Sequence, residues 1–306
     1  MSTTLNLGAH SKVKRWIDGH AAGTVGAMDS LPRTMWTLFE PIHSVTYFTP
    51  QAKEAFEAAN LRGFWRGYFA GRAAPLGAVD AAPVIALFWG FAPGMVTRAL
   101  PDVWSRATPA ESLAARLAGA RASLAALLDG VGPVDEAADL LREAASAVPT
   151  VGRVLGAANA ALPWPEDPIG RLWQAATILR EHRGDGHVAA LLVAGLDGPE
   201  TGVWRASIDQ RRDYLQPARG WSDDDWIAAV KRLSDRGWLD DSGAATQVAL
   251  DARAEIEATT DRLAAAPWQH LGEAGTARLR EVLRPLAVRV RAALPAETPI
   301  GLPAIV

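Results

Sequence analysis

The stretch SDDDWIAAVKRLSDRGWLD, residues 222–240, repeats its apolar side chains every 3.6 residues. Ser222 stands before three carboxylates, Asp223, Asp224 and Asp225, while Trp226, Ile227, Val230 and Leu233 share one face. A hydroxyl ahead of an acidic first turn satisfies backbone N–H groups that have no helical acceptor and complements the helix dipole. This is a capped helix with one face to bury. The same pattern recurs along most of the chain, and it restricts the fold to a mainly α class.

Upstream, PRTMWTLFEPIHSVTYF keeps helical spacing through Trp36, Leu38, Phe39, Ile42 and Tyr47, with Pro41 set to bend or restart the helix. TPQAKEAFEAANL has Thr49 as N-cap, Pro50 at the first helical position, Lys53 and Glu57 four apart, and Asn60 at its end. Residues 109–128 and 134–147 form two further helices, the first Ala-rich. ALPWPEDPIG, with three prolines, reads as an interdomain linker over 161–168. Beyond it, IGRLWQAATILREH is a helix that Gly184 ends, and GHVAALLVAGL begins another. DSGAATQVAL is hairpin-like, and DARAEIEATTDRLAAAPW is a long closing helix.

At 306 residues the chain is long enough for two domains with cores of their own, and 49% hydrophobic with 21% charged residues describes a soluble globular protein. A net charge of −3 supplies no overall cationic field for nucleic acid. The absence of cysteine excludes disulfides, thiolate metal sites, iron–sulfur ligation and a cysteine nucleophile. Any metal or haem iron must then use histidine or carboxylate. The N-terminal residues lack the apolar run of a secretory signal, and APVIALFWGFAPGMV, the nearest thing to a membrane span, is interrupted by glycine and proline. A cytoplasmic location with no membrane partner is expected.

A helix ending RLSDRGWLDD, a short turn, then VALDARAEIEATTDRLAA resembles the winged helix-turn-helix of MarR-type regulators over roughly residues 170–268. The first half can be laid over the second: NLRGFWRGYFAG follows a helix much as GLDGPETGVWRAS does, with Trp65–Arg66 and Trp204–Arg205 in similar places. Together EPIHSVTYF, FWRGYFAGRAAPLG and LREHRGDGHVAAL resemble an actinobacterial group of MarR-like proteins with two helix-turn-helix units in one chain. Predicted helix-turn-helix proteins without an established activity make up that group, so the resemblance implies architecture and no catalytic residues. It implies tandem winged-helix units with a small β wing. Residues 1–30 are then an N-terminal extension, 31–160 a degenerate first repeat with linking helices, and 169–306 a second repeat with C-terminal helices.

A helix that reads the major groove usually opens with Arg, Lys, Asn or Gln. Here it opens with Asp223–Asp225, and the wing, DDSGAAT, is short and acidic. The corresponding helix of the first repeat, PVIALFWGF, is apolar all round and is expected to be buried. Lys231, Arg232 and Arg236 read as a solvated face. Specific duplex binding is not expected. A MarR-like DNA-binding regulator, dimeric through its terminal helices, is the alternative.

What remains is a pocket at the seam between the repeats, suited to a small aromatic or anionic molecule. Its candidate lining is Tyr47, Arg62, Trp65, Arg66, Phe69, Arg72, Trp89 and Asp185. An arginine on an apolar face needs a partner, either a buried carboxylate such as Glu40 or Asp80 or an anionic ligand. The six histidines include His43 beside Pro41, and His182 and His187 around Gly184-Asp185-Gly186. His43, His182 and His187 could form a three-histidine metal site with Glu40, Glu181 or Asp185 behind it, or His43 alone could hold a haem. The structural alternative is capping: His182 ends one helix and Asp185 caps the next. No P-loop, nucleophile elbow, dinucleotide fingerprint, HExxH or EF-hand motif occurs, so no reaction type follows.

Overall fold

The computed structural model describes residues 30–305. The N-terminal extension up to residue 29, with a short helical stretch expected around Val13–Ile17, lies outside the described residues. These contain fourteen α-helices and no strand. Helix α1 (Leu31–Phe48) starts where the Ser30 hydroxyl accepts the Arg33 N–H. It runs through Pro41 unbroken, because Met35, Leu38, Phe39, Ile42 and Val45 are all buried and packing outweighs the missing hydrogen bond. Thr49 caps α2 (Pro50–Ala58), and Asn60, at φ 61°, ends that segment as its position suggested. Then come α3 (Phe64–Ala73), α4 (Ala81–Leu87), α5 (Pro93–Thr97), α6 (Pro109–Leu128), α7 (Val134–Ser146) and α8 (Val154–Ala160).

Residues 161–167 connect α8 to α9 (Pro168–Val193). After α9 follow α10 (Gly198–Ala206), α11 (Arg212–Arg219), α12 (Asp223–Asp235), α13 (Gln247–Leu263) and α14 (Ala266–Ala293), then a C-terminal tail. Three apolar cores organise these elements. The first joins α1, α6, α7, α9 and α14 through Met35, Leu124, Leu141, Trp173 and Leu283, so it draws on both sides of the 161–167 connection. A second, aromatic core gathers Phe56, Tyr68, Phe69, Phe88 and Phe91 around α3 and α4. The third packs Val203, Trp204, Trp226, Leu233 and Ile256. Each large side chain so buried contributes about 1.5–3 kcal/mol.

Three local expectations change. Gly184 and Gly186 do not break the helix: α9, 26 residues long, runs on across them to Val193. Two interior glycines disfavour a helix by about 1 kcal/mol each, which the burial of α9 on nearly every side through its first four turns outweighs. The segment expected to be a β wing is a turn closed by one antiparallel bridge, Leu239 with Ala245. Asp240 Oδ1 accepts the Ser242 and Ala244 N–H groups, and Thr246 caps α13 directly, leaving no length for strands. The helix expected in PVIALFWGF is the single-sided α4, with Val84 buried but Pro83 and Ala86 exposed. Among the described residues no helix is long and apolar enough to cross a membrane.

Candidate functional site

The segment Glu181–His187 lies on the middle turns of α9, and almost every side chain in it has a separate structural task. Glu181 accepts two hydrogen bonds from Arg72 of α3, at 3.0 and 3.1 Å, and one from Arg180 at 2.8 Å. Burial alone would raise this carboxyl, but Arg180 and Arg72 hold it well below the ordinary carboxylate range. Arg183 pairs with Asp261 at 2.7 Å and Glu257 at 3.5 Å, both on α13. Asp185 accepts the Gly156 N–H at 2.8 Å and so caps α8 from another helix, since Arg153 at the N-cap position makes no side-chain cap. Burial pushes the Asp185 carboxyl up to about 6 despite that bond.

The two glycines have distinct surroundings. A Cβ on Gly186 would lie 2.6 Å from Arg153, whose guanidinium bonds the carbonyls of His182 and Leu263. Gly184 has nothing closer than Glu181 at 4.0 Å.

The structure does not bring His43, His182 and His187 together. The Thr177 hydroxyl donates to the Trp173 carbonyl at 2.9 Å, so its oxygen accepts His43 Nδ1–H, also at 2.9 Å. Nε2 of His43 then accepts the Tyr47 O–H at 3.0 Å, and the ring is neutral, with both nitrogens in use. His187 repeats the arrangement: Thr260 donates to Ile256 at 2.8 Å and accepts from His187 Nδ1–H at 3.0 Å. His182 is buried against Gly156, where a Cβ would stand 3.0 Å from the His182 Cα. Burial depresses both His182 and His187 to about 4. Among the described residues no three His, Asp or Glu side chains are grouped to hold a metal, and the expected three-histidine site is not assembled.

A cavity of about 690 Å³ opens where the three cores meet. Its walls come from α1, α3, the loop after α4, α9, α10, α11, α13 and the C-terminal tail, and they include eight arginines. Most are neutralised in place. Arg33 pairs with Glu257 and Asp261, Arg72 and Arg180 with Glu181, and Arg205 and Arg253 with Asp209. Arg72 also lies over the Phe88 ring at 4.1 Å, and Arg219 over Phe91 at 4.7 Å. Trp36 and Trp89 complete an aromatic lining, the first donating to Glu40 and the second to Thr201.

Of the residues expected to line a pocket, Arg72, Trp89 and Asp185 line this cavity. Tyr47 lines a separate, water-sized void of about 10 Å³ beside it, with His43, Arg116 and Glu181. Trp65 and Phe69 belong to the aromatic core. Arg62 and Arg66 are exposed: Arg62 precedes α3, and the helical register of α3 turns Arg66 outward while Arg72 points in. Arg72 has a carboxylate partner, as an arginine on an apolar face requires, but it is Glu181 rather than Glu40 or Asp80. Arg33, Arg180, Arg183, Arg205 and Arg219 were not legible as lining, since they converge from four helices far apart in sequence.

On α12 the acidic first turn is exposed, with Asp225 closing a capping box on Ser222. Arg232 is held by Glu200 at 2.8 Å and Asp197 at 2.6 Å. Arg236 donates to the Ala194 and Gly195 carbonyls and covers Trp238, and Lys231 pairs with Asp235. All three basic side chains of this face therefore have intramolecular partners.

No curated protein and no solved structure gives a significant match to this chain. A family model described as a helix-turn-helix family matches residues 32–296. Nearly the whole described chain lies within that match, and this protein belongs to the helix-turn-helix family, a membership that points to a regulatory or DNA-binding type of protein.

Proposed function

We propose that this chain is a ligand-binding member of its family, whose central cavity receives a small aromatic anion. The observation that carries this reading is the cavity of about 690 Å³ with an arginine-rich and aromatic wall, within the volume range of small-molecule sites. Stacked guanidiniums and ring faces suit a planar body with a carboxylate or phosphate. The α12 surface supports the same reading from the other side. Its cations are spent on Glu200, Asp197, Asp235 and two carbonyls, and its exposed first turn is acidic.

The architecture behind the cavity is, in this proposal, a MarR-like duplication with degenerate wings. The like setting of His43 and His187 supports it: each donates Nδ1–H to a threonine hydroxyl of a later helix, Thr177 of α9 and Thr260 of α13.

Isothermal titration with benzoate, phenyl phosphate and neutral benzamide tests the reading. The two anions should bind and benzamide should bind more weakly. Absence of binding by both anions would overturn it. A DNA-binding regulator is the second reading, favoured by the family match. Retention of a duplex from its own upstream region, falling steeply with salt and lost in Arg232→Ala or Arg236→Ala, would establish that instead.

A further inference from the structure

Within the cavity, Arg219 differs from its neighbours. It is the last residue of α11, and its backbone is fixed by the Ala92 N–H donating to its carbonyl at 2.9 Å. One face of its guanidinium covers Phe91. Among the described residues no carboxylate lies within ion-pair distance of it, whereas Arg33, Arg72, Arg180, Arg183, Arg205 and Arg253 all have one. Arg72, Arg180 and Arg205 are near enough to disfavour its charge, as burial does. A partly buried cation in a positive surrounding calls for an anion.

Its hydrogen-bond partner is instead a neutral one. Arg219 Nη2 donates to the Pro299 carbonyl at 2.8 Å. That carbonyl reaches it because the tail turns over residues 298–301: Gly301 N–H bonds the Thr298 carbonyl at 2.9 Å, and Gly301 takes φ 63°. A turn with proline at its second position turns the proline carbonyl away from the turn's own hydrogen bond. Leu294 and Leu302 anchor the tail in the first core, so the segment between them spans the cavity wall.

We propose that Arg219 is the anion-recognition residue of the cavity, and that the Pro299 carbonyl is its resting partner, exchanged for a carboxylate or phosphate oxygen when an aromatic anion binds. This rests on the cavity reading above. The exchange replaces a neutral acceptor by a charged one, roughly doubling the strength of the bond. Phe91 covers one face of the planar guanidinium, which leaves recognition to its N–H edge.

The test compares the chain with its Arg219→Gln and Arg219→Lys variants, titrated with benzoate and phenyl phosphate, with benzamide as the neutral probe. Arg219→Gln should weaken both anions by about tenfold or more, the range for a hydrogen bond to a charged group. Benzamide binding should change little, and Arg219→Lys should fall between. A melting curve confirms that each variant folds; if Arg219→Gln does not, Arg219→Lys alone serves and should weaken the anions selectively. In hydrogen exchange, the amides of Gly301 and Leu302 should lose protection when phenyl phosphate binds. Anion binding by the parent chain that is equal in Arg219→Gln overturns the assignment and leaves the cavity reading intact. Failure of both anions to bind the parent chain removes both.

Discussion

Glu181 is a carboxylate that two interior arginines share. It is 2% exposed and neutralises both Arg72 and Arg180. Glu181→Gln leaves the largely buried Arg72 without its carboxylate and Arg180 with only the more distant Glu40, and should cost roughly 3–5 kcal/mol. The urea midpoint measures it; a loss below about 1 kcal/mol, the range of a surface pair, would contradict the pairing. The histidines set the acid side of the stability curve. His182 and His187 sit at about 4 in the fold against an ordinary 6.5, so the unfolded chain takes up protons that the fold refuses. Stability should therefore fall as pH drops from about 6.5 toward 4. Asp185 acts oppositely: held up at about 6 against 3.8, it binds its proton earlier in the fold and adds stability as pH falls through that window. Two histidines outweigh one carboxyl. Urea midpoints at pH 7 and pH 5 should show a net loss, smaller in His187→Gln and larger in Asp185→Asn.

Between helices, glycine decides how closely the axes approach. Gly119 of α6 faces α2 so closely that a Cβ would stand 2.7 Å from the Ala52 Cα, a backbone atom that cannot step aside. Helix propensity alone predicts that Gly119→Ala stabilises; the contact predicts a loss of about 1–3 kcal/mol. Gly184→Ala is the opposite case. Its site is open and helical, so alanine should add about 0.5–1 kcal/mol. A destabilised Gly184→Ala would mean that the chain turns there after all. This pair also marks how far the sequence could be read. Caps at Thr49 and Ser222, and the spans of α2, α6 and α7, followed from local chemistry and stand where that chemistry puts them. GDG in α9 did not, because the same glycine permits a turn or a close approach. Only the neighbouring Arg153 and the uncapped N-terminus of α8 select the second. For the same reason Arg62, Arg66 and Arg72 looked equivalent in sequence, and only the packing of α3 turns Arg72 inward.

Across the whole molecule, three cores meet imperfectly and leave a cavity that eight arginines and a ring of aromatics surround. Residue patterns on single helices predicted an aromatic and arginine-rich seam, but the cations that form it are spread from Arg33 on α1 to Arg253 on α13, and the C-terminal tail closes the wall without adding one. The helix-turn-helix family match covers residues 32–296, and within it the cations of α12 are paired off intramolecularly. A crystal structure of the protein grown with saturating phenyl phosphate tests this most directly. The phosphate should lie against the Arg219 guanidinium, with the ring on the Phe88–Phe91 wall and the Pro299 carbonyl displaced. An empty cavity in that crystal, with Arg219 still bonded to Pro299, would contradict it.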